Sequence, residues 1–182
     1  PFTLNYTATD GTALLADNDY VSANGVLSFT GVAGETKTIT VNVNGDKKIE
    51  ANELFNLSLN NLSRNFGGNL AIPVASTTGS INNDDSGAII ITKSDAQEGV
   101  QGGSFTFSFG PGLATDIPVN INYTLAGTAT GGSVDYIGAS PGTIMIPAGA
   151  NSVTLNLPVI DDTIIEDTET VELTASVVSN AY

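Results

Sequence analysis

Residues 152–169 read Ser-Val-Thr-Leu-Asn-Leu-Pro-Val-Ile-Asp-Asp-Thr-Ile-Ile-Glu-Asp-Thr-Glu, an alternating apolar run that ends in five carboxylates within nine residues. Val153, Leu155, Leu157 and Val159 alternate with other residues, the pattern of a strand with one face buried and one face wet, and no helical period fits them. The acids that follow repel one another, and each raises its neighbours' pKa. Such a cluster at the end of a strand calls for a positive charge among its members, supplied either by the protein or by the solvent.

The same alternation recurs along the chain. Phe105, Phe107 and Phe109 show it, as do Val119, Ile121, Tyr123 and Leu125, and Val171, Leu173, Ala175 and Val177. Nearer the start, Ile39, Val41 and Val43 follow the same rule, and so do Phe55, Leu57 and Leu59. The runs are short, bounded by Gly, Asn, Asp and Pro, and carry Thr and Asn on the outer face. Together they predict an all-β chain of antiparallel β-sandwiches. Pro118 and Pro158 fall inside two of the runs, which predicts edge strands or bulges there, because proline has no N–H to give a ladder.

The runs belong to a repeat. Asn5-Tyr6-Thr7 returns as Asn122-Tyr123-Thr124 at an offset of 117, and Gly11-Thr12-Ala13 returns as Gly127-Thr128-Ala129 at 116. Asp19-Tyr20 returns as Asp135-Tyr136, and the spacing Asp46, Glu50, Glu53 as Asp162, Glu166, Glu169. Shared order of several short blocks marks tandem copies of one module. Residues 1–86 are expected to hold the C-terminal five strands of a first copy, ending near 77–82. Residues 87–182 are expected to hold the N-terminal six strands of a second, near 88–92, 103–109, 117–125, 143–146, 152–160 and 169–178. The first copy lacks counterparts of 88–109 and the second a counterpart of 76–85. Each sandwich is therefore expected to be incomplete, its missing strands lying in a longer protein or coming from another chain.

Composition narrows the function. Nineteen acidic residues against five basic ones give a net charge of -14, which disfavours nucleic acid or an anionic membrane surface as a partner. No stretch approaches the roughly 18 to 20 apolar residues of a membrane helix, so no membrane insertion is expected. The chain has no cysteine and no histidine. Any metal must accept oxygen, which favours calcium or magnesium over zinc, copper or iron. All five bases (Lys37, Lys47, Lys48, Arg64, Lys93) lie in residues 1–93, whereas residues 94–182 hold ten acids and no base. Counter-charge for residues 94–182 must therefore be imported. With no tryptophan platform and no visible nucleophile and base pair, the paired carboxylates do not read as a glycosidase or other enzyme.

Gly127-Thr128-Ala129, Asp135-Tyr136, Gly149, Val159-Ile160-Asp161-Asp162, Glu166 and Glu169-Thr170-Val171-Glu172-Leu173 together resemble the Calx-beta domain family. That resemblance covers nearly the whole chain and implies two tandem immunoglobulin-like sandwiches. Modules of this kind occur in sodium/calcium exchangers, in an integrin subunit and in tandem in large bacterial surface proteins. The resemblance implies Ca2+ held between strand-end loops by Glu98, Asp135, Asp161, Asp162, Glu166 and Glu169 in the second copy. In the first copy it implies Asp19, Asp46, Glu50 and Glu53, with Asp84 and Asp85 after the last strand. Gly45 stands where the first acid of the Asp-Asp pair is expected, and Lys47 and Lys48 adjoin it, so weaker binding is expected there. Tyr20 and Tyr136 are expected to be packing residues whose hydroxyls bond locally. The implied role is a calcium-stiffened structural and adhesive repeat, extracellular or at a cell surface. Its expected partners are neighbouring repeats and strand-completing contacts with another chain. A calcium sensor that reorients an attached domain, and a spacer that binds no ion, remain open alternatives.

Overall fold

The computed structural model describes residues 1–177, and every regular element among them is a strand. In chain order these are β1 (Phe2–Asp10), β2 (Asn24–Phe29), β3 (Lys48–Ile49), β4 (Glu53–Arg64), β5 (Ser76–Ile81) and β6 (Ile90–Ser94), then β7 (Gly103–Ser108), β8 (Ala114–Thr115), β9 (Val119–Gly127), β10 (Gly142–Ile146), β11 (Ser152–Leu157) and β12 (Val171–Val177). They fall into two compact units. Unit 1 comprises residues 1–46 and 51–83, and unit 2 comprises residues 47–50 and 84–182.

Unit 1 is built on one antiparallel sheet in the order β2-β1-β4-β5. Its register places Leu4 opposite Leu27, and Tyr6 opposite both Gly25 and Leu59, so apolar side chains of three strands line one face. Phe2 and Phe29 are also paired, and their rings stack at 4.6 Å. At the other end Ala8, Ala13, Tyr20 and Phe55 are buried together, with Val41, Leu57 and Ile81 packed against them. Tyr20 lies on Phe55 with ring centroids 5.3 Å apart, a contact worth more than its area alone because the rings meet in a favoured geometry.

Unit 2 has two antiparallel sheets, ordered β10-β9-β12 and β11-β7-β6. The alternation that predicted strands also fills the space between the sheets. Phe107 and Phe109, from β7 and the residue after it, pack with Val119 and Ile121 of β9 and Ile146 of β10. Phe107 and Ile146 are completely buried, so this cluster is the hydrophobic centre of a sandwich. A parallel pair of two residues, β3 with β8, adds Ile49 to the margin of the same core.

Two expectations need correction. The run Ile39, Val41, Val43 forms no strand, and only Val43 makes an isolated bridge, to Tyr20. Its counterpart in unit 2 is β11, which exists as a strand because β7 pairs with it, and residues 1–83 contain no counterpart of β7. The prolines, too, behave differently. Pro118 and Pro158 sit just outside β9 and β11, so β9 can be the middle strand of its sheet. The Pro158 carbonyl accepts the Ile137 N–H at 2.8 Å. The two-residue pair of β3 with β8 is parallel, and Lys47–Glu50 groups with unit 2. Val178, the expected last residue of the final strand, lies outside the described residues.

Candidate metal centre

Both units use the same backbone device to aim an aspartate. In unit 2 the Ala129 N–H donates to the Thr170 carbonyl at 3.1 Å, and the Thr170 N–H donates to Thr128 Oγ1 at 2.9 Å. In unit 1 the Ala13 N–H donates to the Leu54 carbonyl at 2.9 Å, and the Leu54 N–H to Thr12 Oγ1 at 2.8 Å. These bonds press the chain so close that a Cβ on Gly127 would lie 2.1 Å from the Thr170 oxygen, and one on Gly11 would lie 2.3 Å from that of Leu54. Only glycine fits, which explains why both Gly-Thr-Ala blocks carry it.

The loop leaving each block then closes on its own aspartate. Thr130 N–H donates to Asp135 Oδ2 at 2.6 Å, and Leu14 N–H donates to Asp19 Oδ2 at 2.7 Å. The aspartate backbone is pinned as well, since its carbonyl accepts from Ile160 in unit 2 and from Asn44 in unit 1, at 2.9 and 3.0 Å. Each Tyr that follows bridges to the neighbouring run, Tyr136 to Val159 and Tyr20 to Val43. One carboxylate oxygen is thus committed to holding the loop, and the other is left to face whatever lies at the strand ends.

In unit 2 it faces acids. Asp135, Glu166 and Glu169 each bring an oxygen to within 4.8 Å of the other two. A hydrogen bond to Asp135 pushes the Glu169 carboxyl up, helped by lost hydration and by the charges of Asp135, Glu166 and Glu98. Lost hydration, then the charges of Asp135, Asp162 and Glu98, push Glu166 up as well. Glu98, from another segment, and Asp162, from the same loop as Glu166, thus add charge to this spot. Asp162 also folds its own turn, its Oδ1 accepting the Ile164 N–H at 2.6 Å. Asp161 lies against the turn that carries Glu98, with Oδ1 3.1 Å from where a Gly99 Cβ would be. The acids border a cleft of about 710 Å3 whose lining includes Glu98, Asp135, Tyr136, Glu166, Asp167 and Glu169.

Two lysines of unit 2 pair with other acids. Lys93 pairs with Asp95 at 2.5 Å, and Lys48 pairs with Asp116 at 3.4 Å and Glu50 at 3.5 Å. The convergent oxygens of Asp135, Glu166 and Glu169 form an all-oxygen donor set that suits a hard divalent cation, and they come from separate segments held by the frame described above.

The six acids named for the first copy are divided between the two units. In unit 1, Asp19 is buried, its Oδ1 has no hydrogen-bond partner among the described residues, and an Asp46 oxygen lies within 4.8 Å of it. Glu53 opens β4, half-buried and opposite Ile81. Glu50 belongs to the segment that goes with unit 2 and is paired there with Lys48. Asp84 and Asp85 follow β5 outside any strand and, among the described residues, join no convergent group of carboxylates.

Sequence reading overlooked Asp10. It accepts the Tyr20 hydroxyl at 2.7 Å, and burial followed by this bond pushes the phenol up to about 12. Tyr20 is therefore a packing residue with a local bond, as expected. The available signal was an acid directly before Gly11, but Ala126 stands at the matching place and the repeat concealed it. Asp167 was also passed over as a lining residue, although it sits inside the quoted acidic run.

The family model of the Calx-beta domain matches residues 2–85 and 104–180. Among curated proteins none matches. Two solved structures are similar. One, a crystal structure of CBD12 from CALX1.2, is 23% identical over 100% of this chain and 71% of that one, with a TM-score of 0.41. The other, a crystal structure of the calcium binding domain CBD12 of CALX1.1, is 25% identical over 85% of this chain and 61% of that one, with a TM-score of 0.38.

Proposed function

This chain belongs to the Calx-beta domain family, and we propose that it is a calcium-binding structural repeat whose principal ion site lies in unit 2. The observation that carries the proposal is the convergence of Asp135, Glu166 and Glu169 within 4.8 Å, from separate segments and without a lysine or arginine paired to any of them among the described residues. Asp135 would offer the oxygen not absorbed by Thr130, and Glu166 and Glu169 would supply the opposing carboxylates. Glu98 and Asp162, whose charges act on Glu166, and Asp161, beside the turn of Glu98, would complete the shell. Calcium accepts roughly six to eight oxygens, so water and backbone carbonyls would fill the remainder.

Binding would act on the fold through charge. An ion among these acids removes their mutual repulsion and ties the 161–169 loop to the Asp135 loop. Because it binds only the folded arrangement, it stabilises unit 2 by about 1.4 kcal/mol at ten times the dissociation constant. Extracellular modules bind calcium at about 0.1 to 1 mM, which suits a repeat that is stiff outside the cell. An extracellular or cell-surface setting, and a mechanical and adhesive task in a longer array, fit the strongly acidic and cysteine-free sequence.

Unit 1 is proposed to bind more weakly, because Glu50 is engaged by Lys48. Calorimetric titration of the chain with calcium tests the reading, with Glu169→Gln as the comparison. The chain should show saturable binding that the variant loses or weakens at least tenfold. Equal titrations for both proteins would remove the site from Glu169, and no heat in millimolar calcium would leave an ion-free spacer.

A further inference from the structure

The segment that follows the acidic turn of the first copy is built into unit 2. Residues 47–50 stand 116 positions before 163–166, and they run parallel to β8, with Lys48 opposite Ala114 and Ile49 opposite Thr115. The Lys47 and Ile49 carbonyls accept the Ala114 and Asp116 N–H groups, each at 3.4 Å. Ile49 also packs on the cluster that holds Phe107 and Phe109. Its Cδ1 lies 2.9 Å from where a Gly87 Cβ would be, with Leu113 Cδ1 at 3.2 Å from the same point. Glycine at 87 therefore keeps open the place that Ile49 fills.

The second copy carries the same segment in more apolar form. Ile164 and Ile165 stand where the first copy has Lys48 and Ile49, between Asp162 and Glu166 as those stand between Asp46 and Glu50. They are 65% and 101% exposed and belong to no strand. The equivalence with Ile49, rather than the exposure, identifies the occupant, because in a tandem array each module meets its neighbour through the same elements. We infer that Ile164 and Ile165 are the docking strand for the Calx-beta repeat next in tandem. They pair in parallel with that repeat's counterpart of β8, and Ile165 fills the place beside its counterparts of Gly87 and Leu113. Charge sets which repeat fits. Lys48 pairs with Asp116 at 3.4 Å, and Ile164 has no cation to offer, so the receiving repeat carries a neutral residue at the place of Asp116. The inference rests on the reading of the chain as part of a longer array and not on the ion site, so a chain that ignores calcium leaves it standing.

The test lengthens the chain by one repeat. Tyr182 stands 116 positions after Phe66, so residues 1–182 followed by a second run of residues 67–182 continue the pattern without a break. The added run carries Asp116→Asn, and the natural sequence has no cysteine to interfere. Ile164→Cys is combined with Ala114→Cys of the added run, because positions facing each other on neighbouring strands are about 4.8 Å apart, within reach of a disulfide. Under mild oxidation in millimolar calcium this pair should close about as fast as Lys48→Cys with Ala114→Cys in the 182-residue chain. Adding Ile165→Ser should slow closure roughly tenfold or more, yet leave the melting of the 182-residue chain unchanged. A second measurement needs no added repeat. Ile49→Asp frees residues 113–116 of the 182-residue chain, so Ala114→Cys in that variant should link to Ile164→Cys of another molecule, and should not do so with Ile49 intact. Closure no faster than that of Ile164→Cys with Thr154→Cys of the added run, or closure indifferent to Ile165→Ser, would overturn the inference. So would intermolecular links that form equally with and without Ile49→Asp.

Discussion

Gly127 is the residue through which the strand frame controls the acidic site, and replacing it with alanine gives the sharpest structural prediction. Its φ is 126°, a region that side chains rarely adopt, and the new Cβ would lie 2.1 Å from the Thr170 carbonyl oxygen. Both partners are backbone, so relief needs the Gly127 turn and the start of β12 to part by about 1 Å, which breaks the bonds between 128–129 and 170. Strain of this kind costs about 1 to 3 kcal/mol for the backbone and a similar amount for the overlap. For a unit of about 100 residues, a loss of about 3 kcal/mol lowers the melting temperature by roughly 12 to 20 °C. Gly149→Ala is the matched control, because Gly149 also has a positive φ, 72°, but no atom lies within 4 Å of where its Cβ would be. It should cost only about 1 kcal/mol. Thermal unfolding followed by circular dichroism reads both. If Gly127→Ala melts no lower than Gly149→Ala, the close approach is not what the frame depends on.

Three further outcomes follow from the packing and the charges. Phe107→Ala empties the fully buried centre of unit 2 and should cost about 3 to 5 kcal/mol in denaturant unfolding, enough to leave that unit marginal. Tyr20→Phe removes the 2.7 Å bond to Asp10 and should cost about 1 kcal/mol, whereas Tyr136→Phe should cost less because Ala126 replaces the acceptor. Bonds from Thr30, aided by Lys37 and Gly31, hold the Glu35 carboxyl down at about 2 against an ordinary 4.5. A depressed acid contributes stability that is complete above the unfolded value and is lost as pH falls through the folded one. Acid titration of stability between about pH 4.5 and 2 should therefore show a fall that Glu35→Gln lacks.

The sandwich was legible wherever a run had its partner in the chain. Val119 to Leu125 and Val171 to Val177 alternate and lie side by side as β9 and β12. Ile39 to Val43 alternates equally well and stays unpaired as a strand, because periodicity reports a residue's preference for two faces and says nothing about whether a neighbour exists to bond. The two-residue pair of β3 and β8 had no signal at all, since two positions carry no period. For the site, the resemblance to the Calx-beta family named Asp135, Glu166 and Glu169 as ligands, matched through the Gly-Thr-Ala, Asp-Tyr and acidic blocks, and their oxygens do converge. Glu50 is less simply placed. Spacing gives it to the first copy, whereas the contacts of the chain group Lys47–Glu50 with unit 2, where Lys48 pairs with it.

The most direct measurement is diffraction from crystals of this chain grown in millimolar calcium, with an anomalous difference map to locate the ion. The account predicts a peak bounded by oxygens of Asp135, Glu166 and Glu169, with the Thr130 N–H still bonded to Asp135 Oδ2. A map with no peak there, and the three carboxylates turned apart into solvent, would contradict it.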